Sequence, residues 1–149
     1  MYTTILVPLD GSKRAEAILP QVEDLAQRYQ ATVIFLQVLE LPRLVGGHSS
    51  TYPAFEQQEL EQWHEEAEIY LAARQGELRE KGIETKVRVV LGSVVRAIVN
   101  TAESEGADLI AMSSHGRTGL ARVFYGSVAA GVLQQVDRPL LLIRSLKDE

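Results

Sequence analysis

The chain has no cysteine, and that absence closes off several kinds of chemistry. No disulfide can staple the fold, no thiolate can act as a nucleophile, and no cysteine-based zinc site can form. The lack of cysteine suits a reducing compartment, and the expected location is cytoplasmic. No run approaches the roughly 20 apolar residues of a membrane span. The N-terminus has no basic region followed by a signal-type apolar segment. Basic charge is not in excess: 15 Lys and Arg stand against 20 Asp and Glu, a net charge of −5. That argues against a general nucleic-acid footprint. No Gly-x-x-x-x-Gly-Lys-Ser/Thr occurs, so the P-loop lysine and its metal-binding hydroxyl are missing. No Gly-x-Gly-x-x-Gly follows the first apolar run, which disfavours a dinucleotide enzyme. What is present is 149 residues, 46% hydrophobic and 23% charged, enough for one soluble domain with a substantial core.

The apolar runs and helical periodicities alternate along the chain. Thr3–Leu9 is short, apolar and rich in β-branched residues, a strand that ends at Asp10-Gly11-Ser12. Ser12 is placed to cap a helix in which Ile18, Val22, Leu25 and Tyr29 recur at helical spacing, with a kink expected at Pro20. Ala31–Leu39 is apolar almost throughout, as in a parallel strand covered on both faces. Glu40–Pro53 is a long loop holding Gly46 and Gly47, and such loops are often lids or simply mobile. A long helix is expected over Ala54–Lys81, its six glutamates from Glu56 to Glu68 preceding Arg74, Arg79 and Lys81 as the helix dipole favours. The glutamate run reads as a solvated face rather than a metal site. Ile83–Leu91 alternates partly, as a strand near a sheet edge does. A helix with Val94, Val95, Ile98, Val99 and Ala102 inward follows, then a strand over Asp108–Met112, a helix from Val128 to Val136, and a strand over Leu140–Ile143. The order β-α-β-α-β-α-β-α-β implies a single-domain α/β fold over residues 1–149. Its sheet is open, parallel and five-stranded, with helices on both faces. Strand one has no charged residue and strand four only its opening Asp108, so both belong at the centre, which gives the order 3-2-1-4-5. The winding then reverses between strands one and four, where ligands of such sheets bind.

The stretch Ser113–Ser127 leaves the end of strand four and delivers Gly126-Ser127 to a helix N-terminus. Unpaired N–H groups and the positive end of the macrodipole collect there. Gly116 and Gly119 permit close backbone approach to a ligand, so this is either a phosphate site or a turn that merely needs glycine. Asp10 comes beside it if strands one and four are neighbours, and serves either a ligand or its own turn. Arg117 and Arg122 are either phosphate partners or surface charges. His115 can face a ligand but has no visible Ser/Asp partnership for base catalysis.

With these residues in place, the chain resembles the universal stress protein family over essentially its whole length. The resemblance rests on Ile5–Ser12, Gly92-Ser93, Ala107–Met112, the Ser113–Ser127 stretch and Arg138–Ile143. The family's nucleotide-binding branch carries Gly, two residues, Gly, nine residues, then Gly with Ser or Thr. Gly116, nine residues, Gly126 and Ser127 match it; the first position is Ser113 instead of Gly. Serine there keeps its backbone N–H and adds a hydroxyl. A second branch lacks the signature and does not bind ATP; this chain is similar to the first.

The resemblance implies an ATP-binding stress-response regulatory protein, usually dimeric, with ADP, AMP or a cyclic nucleotide as other ligands of the adenosine half. Pro8, Leu9, Asp10 and Val38 would meet the nucleoside, with Met112 bordering the cleft. Ser113, His115, Gly116, Arg117, Gly126, Ser127 and Val128 would hold the phosphates. Mg would arrive with the nucleotide, with Asp10 as the carboxylate within reach, and no residue is assigned a catalytic role. The alternatives are a slow ATPase or nucleotidyl-transfer enzyme and a nucleotide-free dimeric scaffold. Strand five closes the sheet as an apolar edge, so a homodimer through Leu140–Ile143 is expected, with neither nucleic acid nor membrane as a partner.

Overall fold

The apolar, β-branched Thr4–Pro8 forms the central strand β1, and the rest of the sheet is laid on either side of it. The computed structural model describes residues 1–40, 54–115 and 126–145. After β1 come α1 (Lys13–Glu16), α2 (Leu19–Tyr29), β2 (Thr32–Leu39), α3 (Ala54–Glu80), β3 (Thr85–Leu91), α4 (Val94–Ser104), β4 (Leu109–His115), α5 (Ser127–Gln135) and β5 (Leu140–Ser145). The five strands lie in the order 3-2-1-4-5, all parallel, as the charge pattern of the strands had implied.

Because successive side chains of a strand point to opposite faces, each strand feeds two cores. Ile5, Val7, Val33, Phe35, Leu109 and Ala111 pack with Val22 and Ala26 of α2 and Leu71 and Leu78 of α3. On the other face Leu6, Ile34, Leu36, Ile110 and Met112 meet Ile98 and Ala102 of α4 and Ala129 and Val132 of α5. Each fully buried Leu, Ile or Phe contributes about 1.5–3 kcal/mol relative to exposure, so these two layers hold the sheet between its helices. At the β3 edge Lys86 and Arg88 are exposed, whereas Leu140–Ile143 at the β5 edge are apolar and half-buried. The apolar stripe of α3 is buried only along its C-terminal half: Ala67, Leu71 and Leu78 are covered, while Trp63 is 39% exposed.

Two expectations are corrected by the structure. The first helix does not run through Pro20 with a kink. It is two helices, α1 and α2, and Pro20 sits in the first turn of α2. Proline has no N–H to offer the carbonyl of Glu16, and its ring crowds that carbonyl, so the single turn stops there and a new helix starts where the missing donor costs nothing. The fourth strand does not stop at Met112. It runs on through Ser113 and Ser114 to His115, because β5 offers a backbone partner to each: Ser113 pairs with Ile143, Ser114 with Arg144 and His115 with Ser145. Polar residues read as loop from their own chemistry are held in the ladder by the neighbour.

Candidate functional site

At the C-terminal ends of β1 and β4, where the winding reverses, the strands part and leave a cleft of about 370 Å³. Pro8, Leu9 and Asp10 line it from the end of β1, Leu36, Val38 and Glu40 from β2 and just beyond, and Met112, Ser113 and Ser114 from β4. Ala15 of α1 closes one side, with Val94 and Ile98 of α4 and Val128 and Ala129 of α5 on the other. Most of this wall is apolar. Its charged groups among the described residues are two carboxylates, Asp10 and Glu40; no described lining side chain is basic.

Positive potential comes instead from backbone. Gly126 is the N-cap of α5 and supplies no side-chain cap, and its φ of 74° with ψ of 158° is a conformation that essentially only glycine adopts. Its carbonyl accepts from the N–H of Ala130 at 3.1 Å, so the N–H groups of the first turn before Ala130 lack intrahelical acceptors. Val128 and Ala129 of that turn line the cleft. Ser93, the N-cap of α4, likewise makes no side-chain cap bond, and Val94 beside it reaches the same cleft. One wall is therefore polarised positive by helix ends and the facing mouth carries carboxylate.

The seating of α5 depends on one close approach. A Cβ built on Gly131 would stand 2.7 Å from Cγ2 of Val95 in α4. Glycine at this point lets the two helices pack tightly and sets where the α5 N-terminus falls.

The Asp10 turn is ordered by its own bonds. Ser12 donates its backbone N–H to Asp10 Oδ1 at 2.9 Å and its hydroxyl to the same oxygen at 2.6 Å. Ser12 then caps α1 as its sequence position implied, its Oγ accepting from the N–H of Ala15 at 3.1 Å. Of the two roles anticipated for Asp10, the turn role is seen: Oδ1 takes both Ser12 bonds, and no described residue bonds Oδ2. Ser113, the serine in place of the first motif glycine, donates its hydroxyl to the Ala15 carbonyl at 3.2 Å. Its side chain ties β4 to α1. Ser114 is buried and donates to the carbonyl of Ile143 at 3.3 Å.

Of the residues singled out from the sequence, Pro8, Leu9, Asp10, Val38, Met112, Ser113 and Val128 are brought to the cleft wall. Gly126 and Ser127 stand exposed at the mouth of α5. His115 is the last residue of β4. Gly116, Gly119, Arg117, Arg122 and, apart from Glu40, the loop to Pro53 lie outside the described residues. Sequence reading missed Leu36, Ala15, Val94, Ile98 and Ala129. Strand alternation would have found the first, since Leu36 shares a face with Val38. The helical ones needed the tertiary contact.

Among the described residues no group of three or more His, Cys, Asp or Glu could hold a metal. Nor is any described helix long and apolar enough to cross a membrane.

A parallel 3-2-1-4-5 sheet whose winding reverses between β1 and β4 is the doubly wound α/β class, which binds its ligands outside the strand ends at that point. The Universal stress protein family matches residues 1–144, and the chain belongs to that family. It is 31% identical over 155 residues to Universal stress protein MJ0577 of Methanocaldococcus jannaschii, covering 97% of this chain and 96% of that protein. The solved structure of MJ0577 superposes with a TM-score of 0.83 over 99% of each chain. A universal stress protein solved in complex with cAMP shares the fold at a TM-score of 0.68 and 21% identity, over 97% of this chain and 98% of the other. One from Archaeoglobus fulgidus, solved in complex with dAMP, does so at 0.61 and 23% identity, over 95% and 98%.

Proposed function

We propose that this protein binds ATP in the switch-point cleft and acts as a nucleotide-dependent regulator in a stress response. The observation that carries the reading is the pairing of an uncapped α5 N-terminus, entered through Gly126 in a glycine-only conformation, with the Asp10 carboxylate across the cleft. The first suits phosphate oxygens, which take up orphan N–H groups and the helix dipole together. The second suits a ribose hydroxyl or the adenine amino group, which donate to carboxylate. Between them Val38, Met112 and Pro8 offer an apolar slot for a flat base. Gly116 and Arg117 complete the phosphate loop in this reading, with Ser113, His115, Ser127 and Val128 at its borders, and Mg enters bound to the phosphates. That other proteins of this fold have been solved with cAMP and with dAMP supports an adenine nucleotide in particular.

Calorimetric titration with Mg-ATP tests the reading. Wild type should bind, and Gly126→Ala, which puts a Cβ where φ is 74°, should bind at least about tenfold more weakly while remaining folded. Absence of binding by wild type overturns the proposal. Mass spectrometry of ligand released from freshly purified protein identifies the physiological nucleotide, and turnover under excess Mg-ATP tests the enzymatic alternative.

The proposal includes a homodimer through β5. Its exposed edge is apolar, with all four side chains from Leu140 to Ile143 only half-covered, and an apolar edge strand is an open template for a second chain. Light scattering behind a sizing column should report a dimer that Leu142→Pro disrupts.

A further inference from the structure

The single turn α1 carries four residues, too few to hold its own place. It is pinned from two sides by residues distant in the chain. From β4, the Ser113 hydroxyl takes the carbonyl of Ala15. From α3, the Tyr70 hydroxyl donates to Glu16 Oε2, and Arg74 Nη1 stands 3.6 Å from the same oxygen. Arg74 is itself fixed, its guanidinium carbon 5.6 Å from the centroid of the Tyr70 ring and its Nη2 3.0 Å from Glu77. Glu16 closes the turn by donating its N–H to the Ser12 carbonyl, and Ser12 makes both bonds to Asp10. A continuous line of bonds therefore runs from α3, through Glu16 and Ser12, to the carboxylate at the mouth of the cleft.

We propose that Tyr70 is a positioning residue for the nucleotide, holding α1 through Glu16 so that Asp10 and Ala15 stand where the adenosine half requires them. This rests on the cleft being the nucleotide site. Tyr70 is not among the residues that line the cleft; its hydrogen bond to the site's surroundings goes to Glu16 of α1. Its phenol is suited to a permanent donor. Burial pushes its pKa well above the usual phenolic range, the bond to Glu16 and the Glu16 charge add to this against Arg74, and the Asp10 carboxylate raises it further. The proton thus stays on the hydroxyl across the physiological range.

The test is binding of Mg-ATP and of inorganic tripolyphosphate to wild type, Tyr70→Phe, Glu16→Ala and Glu16→Gln. Phenylalanine keeps the ring and its stack under Arg74 and removes only the donor. Tyr70→Phe should bind ATP about five- to tenfold more weakly, the scale of one lost bond to a charged acceptor only partly passed on, with tripolyphosphate affinity unchanged. Glu16→Ala should match it, and the double variant Tyr70→Phe/Glu16→Ala should be no weaker than either single one, because both cut the same line. Glu16→Gln, which still accepts from the phenol, should recover most of the affinity. Folded Tyr70→Phe with wild-type affinity for ATP overturns the proposal, as do additive losses or an equal loss for tripolyphosphate, which would mark general loosening of the fold. If wild type itself fails to bind ATP, the site assignment falls, and this inference with it; a wild type that binds beside an indifferent Tyr70→Phe removes the inference alone.

Discussion

The two ends of the sheet treat their polar groups in opposite ways. At the N-terminal ends of the strands Asp108 and Arg138 find their partners within the chain. Asp108, just before β4, accepts the backbone N–H of Thr3 at 2.9 Å, its hydroxyl at 2.9 Å and the N–H of Thr4 at 3.1 Å, locking the start of β1 to its neighbour. Arg138, just before β5, donates one nitrogen to the carbonyls of Ala102 and Ala107 at 3.0 and 2.8 Å, closing the C-terminus of α4. At the C-terminal ends, α4 and α5 begin without side-chain caps and Asp10 keeps one oxygen outside its turn. A stable fold needs its buried and helix-terminal polar groups satisfied, and a binding site needs some left for the ligand. With the cleft as the proposed nucleotide site, the molecule meets both requirements at opposite ends of the same strands.

The largest expected effect breaks the closed end. Asp108→Ala removes a charged acceptor of three donors and should cost about 2–3 kcal/mol, with a melting temperature lower by roughly 4–12 °C for a domain of this size. Urea unfolding measures the first and calorimetry the second. Below the melting range ATP affinity should be unchanged, since no bond of Asp108 reaches the cleft; a large change would mean the two ends are not separate.

A smaller effect joins the ends. Gly131→Ala gains helix propensity but drives a Cβ into Val95, so α5 must shift; overpacking of this kind costs about 1–3 kcal/mol. Because α5 carries the cleft's N–H groups, this variant should lose both stability and ATP affinity, which Asp108→Ala should not. Thermal melts paired with calorimetric titration separate the two outcomes.

The same substitution at Gly76 sharpens the contrast by reversing sign. Gly76 lies exposed within α3 and a Cβ there meets nothing within 4 Å. Gly76→Ala should stabilise by about 0.5–1 kcal/mol with no change in binding, measured as a higher urea midpoint.

The smallest expected effect is in acid. Burial alone would raise the Asp108 carboxyl, but the N–H groups of Thr3 and Thr4 and the Thr3 hydroxyl outweigh it and hold the pKa below its ordinary value. The folded state therefore binds this proton less readily than the unfolded state. The contribution is complete above the unfolded pKa of about 3.9 and is lost as pH falls through the folded value. Asp108→Asn should narrow the stability difference between pH 6 and roughly pH 3 relative to wild type, by an amount reduced because the group is partly solvated. Identical pH profiles would show that the carboxylate's charge is not what holds β1 to β4.

What the sequence by itself determined is whatever depends on near neighbours. A period of two or of 3.6 marked strands and helices, the dearth of charge in strands one and four placed them centrally, Ser12 announced a cap, and the Gly126-Ser127 junction announced a helix entered through glycine. The sheet order followed from these with the handedness of the crossovers. Only the tertiary structure decided who bonds whom across the chain. Ser113 finds Ala15 98 residues away, Asp108 finds Thr3 105 residues away and Tyr70 finds Glu16 54 residues away. Nothing in the local pattern marks such pairs, because a hydroxyl or carboxylate is compatible with any partner that packing brings within about 3 Å. Likewise the polar end of β4 is strand only because β5 lies alongside it. Periodicity is a property of a segment; a bond between segments is a property of the folded whole.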